Sequence, residues 1–134
     1  MRATLIITAL LTIPACSADA QRRWELVQGT TSQPYRLDLA SLREVQGVIH
    51  VDVRSSSGTD SYDIVPHEVR CPDLRLRLGT RRTYDASTHQ PFLDNPASSP
   101  ATLPEEGWVQ YGPGSDGHQL AVAICSTARV RNLR

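Results

Sequence analysis

Between Leu74 and Leu78 the chain alternates leucine with arginine at every step, Leu74-Arg75-Leu76-Arg77-Leu78. Only a strand, whose side chains point to opposite faces in turn, gives the three leucines one environment and the two arginines another. Cys71 stands just before this run, and the only later cysteine is Cys125, inside Gln119-Leu120-Ala121-Val122-Ala123-Ile124-Cys125. That segment reads as a helix from Gly117 to Ala128, with Ser115 or Asp116 as its N-cap. At about 100° per residue, Leu120, Ala121, Ile124, Cys125 and Ala128 fall on one side of it. The expected architecture is an α+β fold: an antiparallel sheet, a C-terminal helix lying on it, and a Cys71–Cys125 disulfide joining the two.

The N-terminus supports this use of cysteine. Met1-Arg2 is followed by an uncharged apolar run from Ala3 to Ile13. At about 11 residues it is too short to span a bilayer and has the length of an export-signal core. Two processing sites follow. Ala18-Asp19-Ala20 matches an A-x-A cleavage signature, making residues 1–20 a signal peptide and 21–134 the single mature domain. Ile13-Pro14-Ala15-Cys16 has the form of a lipobox, making residues 1–15 a lipoprotein signal and Cys16 the lipidated N-terminus. Either way Cys71 and Cys125 are left as an even pair in an oxidising compartment, and they lack the C-x-x-C spacing that zinc sites use.

Alternation and turn residues set out the rest. Strands are expected at 23–28, 35–38, 45–54 and 60–70, the last with a bulge or an edge at Pro66, which cannot donate to a ladder. A single helical turn capped by Asp38 is expected over 39–43. The arginine strand is expected to run on through Arg81-Arg82-Thr83-Tyr84, and Trp108-Val109-Gln110-Tyr111 to form another strand. Between them, 85–107 carries Pro91, Pro96, Pro100 and Pro104 and reads as the least structured part, anchored by Phe92 and Leu93.

The 14 basic residues are all arginine and are balanced by 14 acidic ones, which gives no general drive toward nucleic acid or an acidic membrane. Membrane contact is expected only through a lipidated Cys16. Arg75, Arg77, Arg81 and Arg82 are the candidate binding face. A guanidinium patch there suits an acidic protein segment or polysaccharide, while the plainer reading pairs these arginines across strands with Asp52, Asp63 or Glu68. His50, His67, His89 and His118 show no metal-ligand spacing, and no nucleophile elbow or phosphate-binding glycine loop occurs, so no metal, cofactor or catalytic residue is expected.

Trp24-Glu25-Leu26-Val27, Tyr35-Arg36-Leu37-Asp38-Leu39-Ala40-Ser41-Leu42, the strand around Val48–Val53, Ser61-Tyr62 leading to Val69-Arg70-Cys71, the arginine strand, Trp108 and a helix closing in Cys125 come in an order that resembles the surface-adhesin protein E family of small exported bacterial proteins. The resemblance covers the whole mature chain. It implies a sheet of about six antiparallel strands with a disulfide-tethered C-terminal helix. It also implies kinship with a surface lipoprotein, often a homodimer, that binds host matrix and serum proteins. The resulting expectation is a non-enzymatic, adhesin-like binding module in the periplasm or at the cell surface, with a protein or acidic macromolecule as partner. The rivals are a periplasmic inhibitor or immunity protein that plugs an envelope hydrolase with loop 85–107, and a structural envelope component.

Overall fold

A computed structural model describes residues 22–92 and 107–133. The leader with Cys16, and the proline-rich stretch from Leu93 to Glu106, lie outside the described residues. Eight strands form one antiparallel sheet: β1 (Trp24–Leu26), β2 (Tyr35–Asp38), β3 (Arg43–Val45), β4 (Val48–Ser56), β5 (Ser61–Arg70), β6 (Arg75–Leu78), β7 (Arg82–Asp85) and β8 (Val109–Gln110). The helix α1 (Asp116–Val130) follows. β2 and β3 pair one after the other along the same side of β4, and β7 and β6 likewise along β5. The sheet thus has eight strands where about six were expected, because two of its six columns are each made of two short strands.

Three local departures from the sequence reading have physical causes. The stretch expected as one strand from Val45 is a hairpin, β3–β4, turned by Gln46 and Gly47 at φ 52° and 79°. Two successive positive φ values are the mark of the two-residue turn whose twist matches paired strands, and glycine suits the second position. Residues 39–43 form no helical turn. The Asp38 carboxylate, buried, accepts the backbone N–H groups of Ala40 and Arg23 through Oδ1, and Ser41 Oγ donates to the Asp38 carbonyl. Asp38 thus organises an Asx-type turn rather than a helix. Residues 85–92 begin the expected slack loop with a tight return instead: Asp85 accepts from Ser87 and Thr88, and Phe92 N–H bonds back to the Thr83 carbonyl. Phe92 is about half exposed and is no anchor.

Pro66 lies where the sequence placed a break. Three steps along β5 from Ile64 to His67 face four steps from Leu78 to Arg82, so the partner strand carries one extra residue there. That is a bulge opposite Pro66. The Pro66 carbonyl takes the Gly79 N–H at 2.7 Å, and the missing proline N–H costs no ladder bond because β6 has ended and β7 has not begun.

One sheet face meets the helix. Leu37, Ile49, Val51, Val53, Val69 and Leu76 are buried on it, against Leu120, Ala121, Ile124, Cys125 and Ala128, the five helix positions expected from periodicity. Three devices hold α1 in place. Ser115 Oγ accepts the His118 N–H as the N-cap, while Asp116 takes the N–H and O–H groups of Thr31 and Ser32. At the other end Asn132, at φ 56°, lets Leu133 N–H reach the Ala128 carbonyl, a Schellman closure that turns Leu133 back onto the core. Between them Cys71 and Cys125 are bonded, with Cα atoms 5.6 Å apart.

That bond closes a loop across a sequence separation of 54, for which chain entropy gives about 4 kcal/mol of stabilisation. Replacing both Cys71 and Cys125 with serine is expected to lower the melting temperature by roughly 15 °C in a domain of this size while the far-ultraviolet circular dichroism at 20 °C keeps its strand signal. An unchanged melting temperature would contradict the pinning of helix to sheet.

Candidate functional site

The helix lies on one face of the sheet; among the described residues no helix lies on the other, and the alternation of every strand decides what stands there. Cross-strand register sets Leu26, Arg36, Arg54, Ile64 and Arg82 in one row. Arg43, His50, Glu68 and Arg77 make a second row. Arg70, Arg75 and Gln110 make a third. Trp24 and Leu26 do share a face, and it is this outer one; Leu26 is 43% exposed, and Val27 supplies the core contact.

Two aromatic–guanidinium stacks stand on this face. Arg54 lies 3.7 Å from the Tyr62 ring centre and 5.9 Å from that of Trp24, with Arg22 at 5.5 Å on Trp24. Tyr84 stacks on Tyr62 at 5.4 Å. On the opposite side of the sheet face, Arg70 and Arg77 approach Trp108 at 4.6 and 4.8 Å. Each stack places a planar cation over the electron-rich ring face, which holds both flat against the sheet.

Carboxylates answer some of these charges. Arg22 bridges Asp38 and Asp52 at 3.2 and 2.9 Å. Glu68 pairs with Arg77 and lies 3.6 Å from His50, and Asp73 lies 3.3 Å from both Arg70 and Arg75. Arg36, Arg43, Arg54 and Arg82 make no ion pair among the described residues. The outer face is therefore positively charged beyond its own acids.

The four arginines singled out by sequence do not form one patch. Arg75 and Arg77 stand on the outer face as their alternation requires, each beside an acid. Arg82 joins the row of Arg36 and Arg54. Arg81 sits in the bulge and turns to the helix side, 3.6 Å from Asp63. The cross-strand pairings of the plainer reading are thus present for Arg77 with Glu68 and Arg81 with Asp63. Sequence reasoning passed over Trp24, Trp108, Arg22 and Arg36 as surface residues. Period-2 counting from the buried Leu37 and Val53 would have put Arg36 and Arg54 together.

The helix-covered face holds one buried histidine. His67 is 6% exposed, between Val65 and Val69 in the same alternation. Its Nδ1 donates to the Val65 carbonyl at 2.8 Å, since a carbonyl can only accept. Burial pulls its pKa down to about 4 against the opposing effects of the Val65 bond and Asp52. Among the described residues no group of three or more His, Cys, Asp or Glu is arranged to hold a metal. No helix there is long and apolar enough to cross a membrane, and the disulfide is compatible with a place outside the cytoplasm.

No family model matches the chain, and no curated protein or solved structure matches it significantly. The fold and the charged face therefore speak for themselves.

The histidine gives a test with a definite sign. Well above pH 6.5 His67 is neutral in both states and costs the fold nothing. As pH falls through 6.5 the unfolded chain takes up the proton first, so stability drops until about pH 4, where the folded protein also protonates. The loss is about 3 kcal/mol over that window. His67→Gln should lose that much less than the parent between pH 7 and pH 4 in urea titrations, and parallel curves would contradict the buried neutral ring.

Proposed function

We propose that the protein is exported and acts as a non-enzymatic, adhesin-like binding module in the periplasm or at the cell surface, taking an acidic segment of a protein partner across the helix-free face of its sheet. The observation that carries this reading is the set of Arg36, Arg43, Arg54 and Arg82, guanidiniums on one exposed sheet face without carboxylate partners among the described residues, beside the half-buried rings of Trp24 and Tyr84. Guanidinium forks match carboxylates in pairs, and they are less strongly hydrated than lysine ammonium groups, so their desolvation on contact costs less. Rigid aromatic rings next to them supply contact area with little side-chain entropy to lose. The apolar leader and the disulfide support a site of action outside the cytoplasm.

Electrostatic recognition of this kind weakens as salt shortens the reach of charge. Immobilised polyglutamate is expected to capture the protein, polylysine not, with affinity falling as ionic strength rises. Arg36→Gln, Arg43→Gln and Arg82→Gln combined should reduce capture by at least about tenfold, taking roughly 0.5–1 kcal/mol per exposed contact. Arg129→Gln, on the exposed side of the helix, should leave it unchanged. Equal capture by both variants would show that the sheet face is only a solvated surface.

A further inference from the structure

Near the N-terminal end of α1, the described residues leave the helix-covered face incompletely filled. A cavity of about 210 Å³ remains there, open at one side. Its floor is apolar, made by Val53, Val65, Leu76 and Leu120. Gly117 forms part of its wall with the Tyr111 ring laid flat against it. A Cβ on residue 117 would come 2.5 Å from that ring, so glycine is what lets the aromatic close this end. A cavity of about 150 Å³ takes a benzene-sized molecule, so this one suits a single ring with a short polar arm.

Among the polar groups that line the cavity, three have the capacity to fix a ligand's two ends. His67, 6% exposed, spends Nδ1–H on the Val65 carbonyl, which leaves Nε2 as a lone-pair acceptor with no partner among the described residues. Tyr35 Oη accepts from Gln33 Nε2 at 3.0 Å, so its own proton is left to donate. Arg81 stands at the rim, its side chain 54% exposed, with Nε directed at Asp63 and its terminal nitrogens without a carboxylate among the described residues. A neutral buried imidazole acceptor within, and a cation with a hydroxyl donor at the mouth, ask opposite things of a ligand's two ends. Arg81 lies three residues beyond Leu78, the cross-strand partner of His67. That is at most about 10 Å along a strand, the span of a ring bearing a hydroxyl at one end and a carboxylate arm at the other.

We propose that this cavity, at the N-terminal end of α1 on the face opposite the arginine rows, binds a small hydroxyaryl carboxylate, with the hydroxyl donating to His67 Nε2 and the carboxylate held by Arg81 and Tyr35 Oη. The site is independent of the acidic partner on the outer face. It was hidden in the sequence because Pro66 marks a break on its own strand, whereas the extra residue that turns Arg81 inward lies on the partner strand, between Leu78 and Arg82.

The test is a titration of the oxidised protein with 4-hydroxyphenylacetate, followed by amide chemical shifts. The expected result is saturable, sub-millimolar binding whose shifts centre on Tyr35, His67 and Gly117. Phenylacetate, without the hydroxyl, and 2-(4-hydroxyphenyl)ethanol, without the carboxylate, should each bind at least about tenfold more weakly, the worth of one hydrogen bond to a buried or charged partner. Arg81→Gln, an exposed change, should weaken the parent ligand by a similar factor. Leu78→Phe, which fills the cavity from its half-buried wall, should abolish binding while the spectrum stays folded. No saturation by about 5 mM, shifts confined to the outer arginines, or full affinity in either variant would overturn the proposal.

Discussion

Everything in this fold follows from the contact of one short apolar helix stripe with one face of the sheet. Ala121 and Ile124 are wholly buried there, as are Val69 and Leu76 or nearly so, and α1 packs on β4, β5 and β6. Burying a large aliphatic side chain is worth about 2 kcal/mol, but a single 15-residue helix has only one such stripe to offer. A small domain with so thin a core has little margin. The structure compensates by fixing the helix at both ends and in the middle. Asp116 docks the Thr31–Ser32 loop, the Cys71–Cys125 bond joins helix to strand, and Arg131 Nη1 reaches the Leu39 carbonyl at 2.7 Å.

The same contact decides the character of the opposite face. Among the described residues only one helix covers the sheet, so on the other face the six columns of strands must shield their alternate side chains by other means. Arginine meets that demand in a particular way, because its stem covers apolar surface while its head stays solvated. Ile64 shows the effect: it lies on the outer face between Arg54 and Arg82 in the cross-strand row, yet is only 5% exposed. Stacking of Arg54 on Tyr62 and of Arg70 and Arg77 on Trp108 fixes the guanidiniums in place. A guanidinium already held against a ring has less side-chain entropy to lose in any contact it makes.

The parts of this architecture governed by short-range periodicity were legible in the sequence. Leu76 among its arginines, the Ile49, Val51 and Val53 alternation, and the five buried helix positions all follow from periods of 2 and 3.6 residues. The pairing of Cys71 with Cys125 followed from the count of cysteines. What escaped was set by single hydrogen bonds or by register. Asp38 diverted residues 39–43 from a helical turn by accepting two backbone N–H groups, and Gln46–Gly47 split one expected strand into a hairpin. The one-residue bulge opposite Pro66 sent Arg81 to the other side of the sheet from Arg75, Arg77 and Arg82, because a shift of one residue exchanges the two faces. Trp24 and Trp108 mark strands by their composition, and their place among arginines appears only when strands far apart in sequence are set side by side.

Both tryptophans of the chain stand on the arginine face, which allows the two-faced arrangement to be tested in one measurement. Quenching of native tryptophan fluorescence by iodide should be markedly stronger than by caesium, because the anion is drawn to the guanidiniums around both rings. The difference should shrink when the chain is unfolded in urea and the arginines disperse. Equal quenching by the two ions in the folded protein, or protection of both tryptophans from either, would contradict a solvent-open, positively charged sheet face opposite the helix.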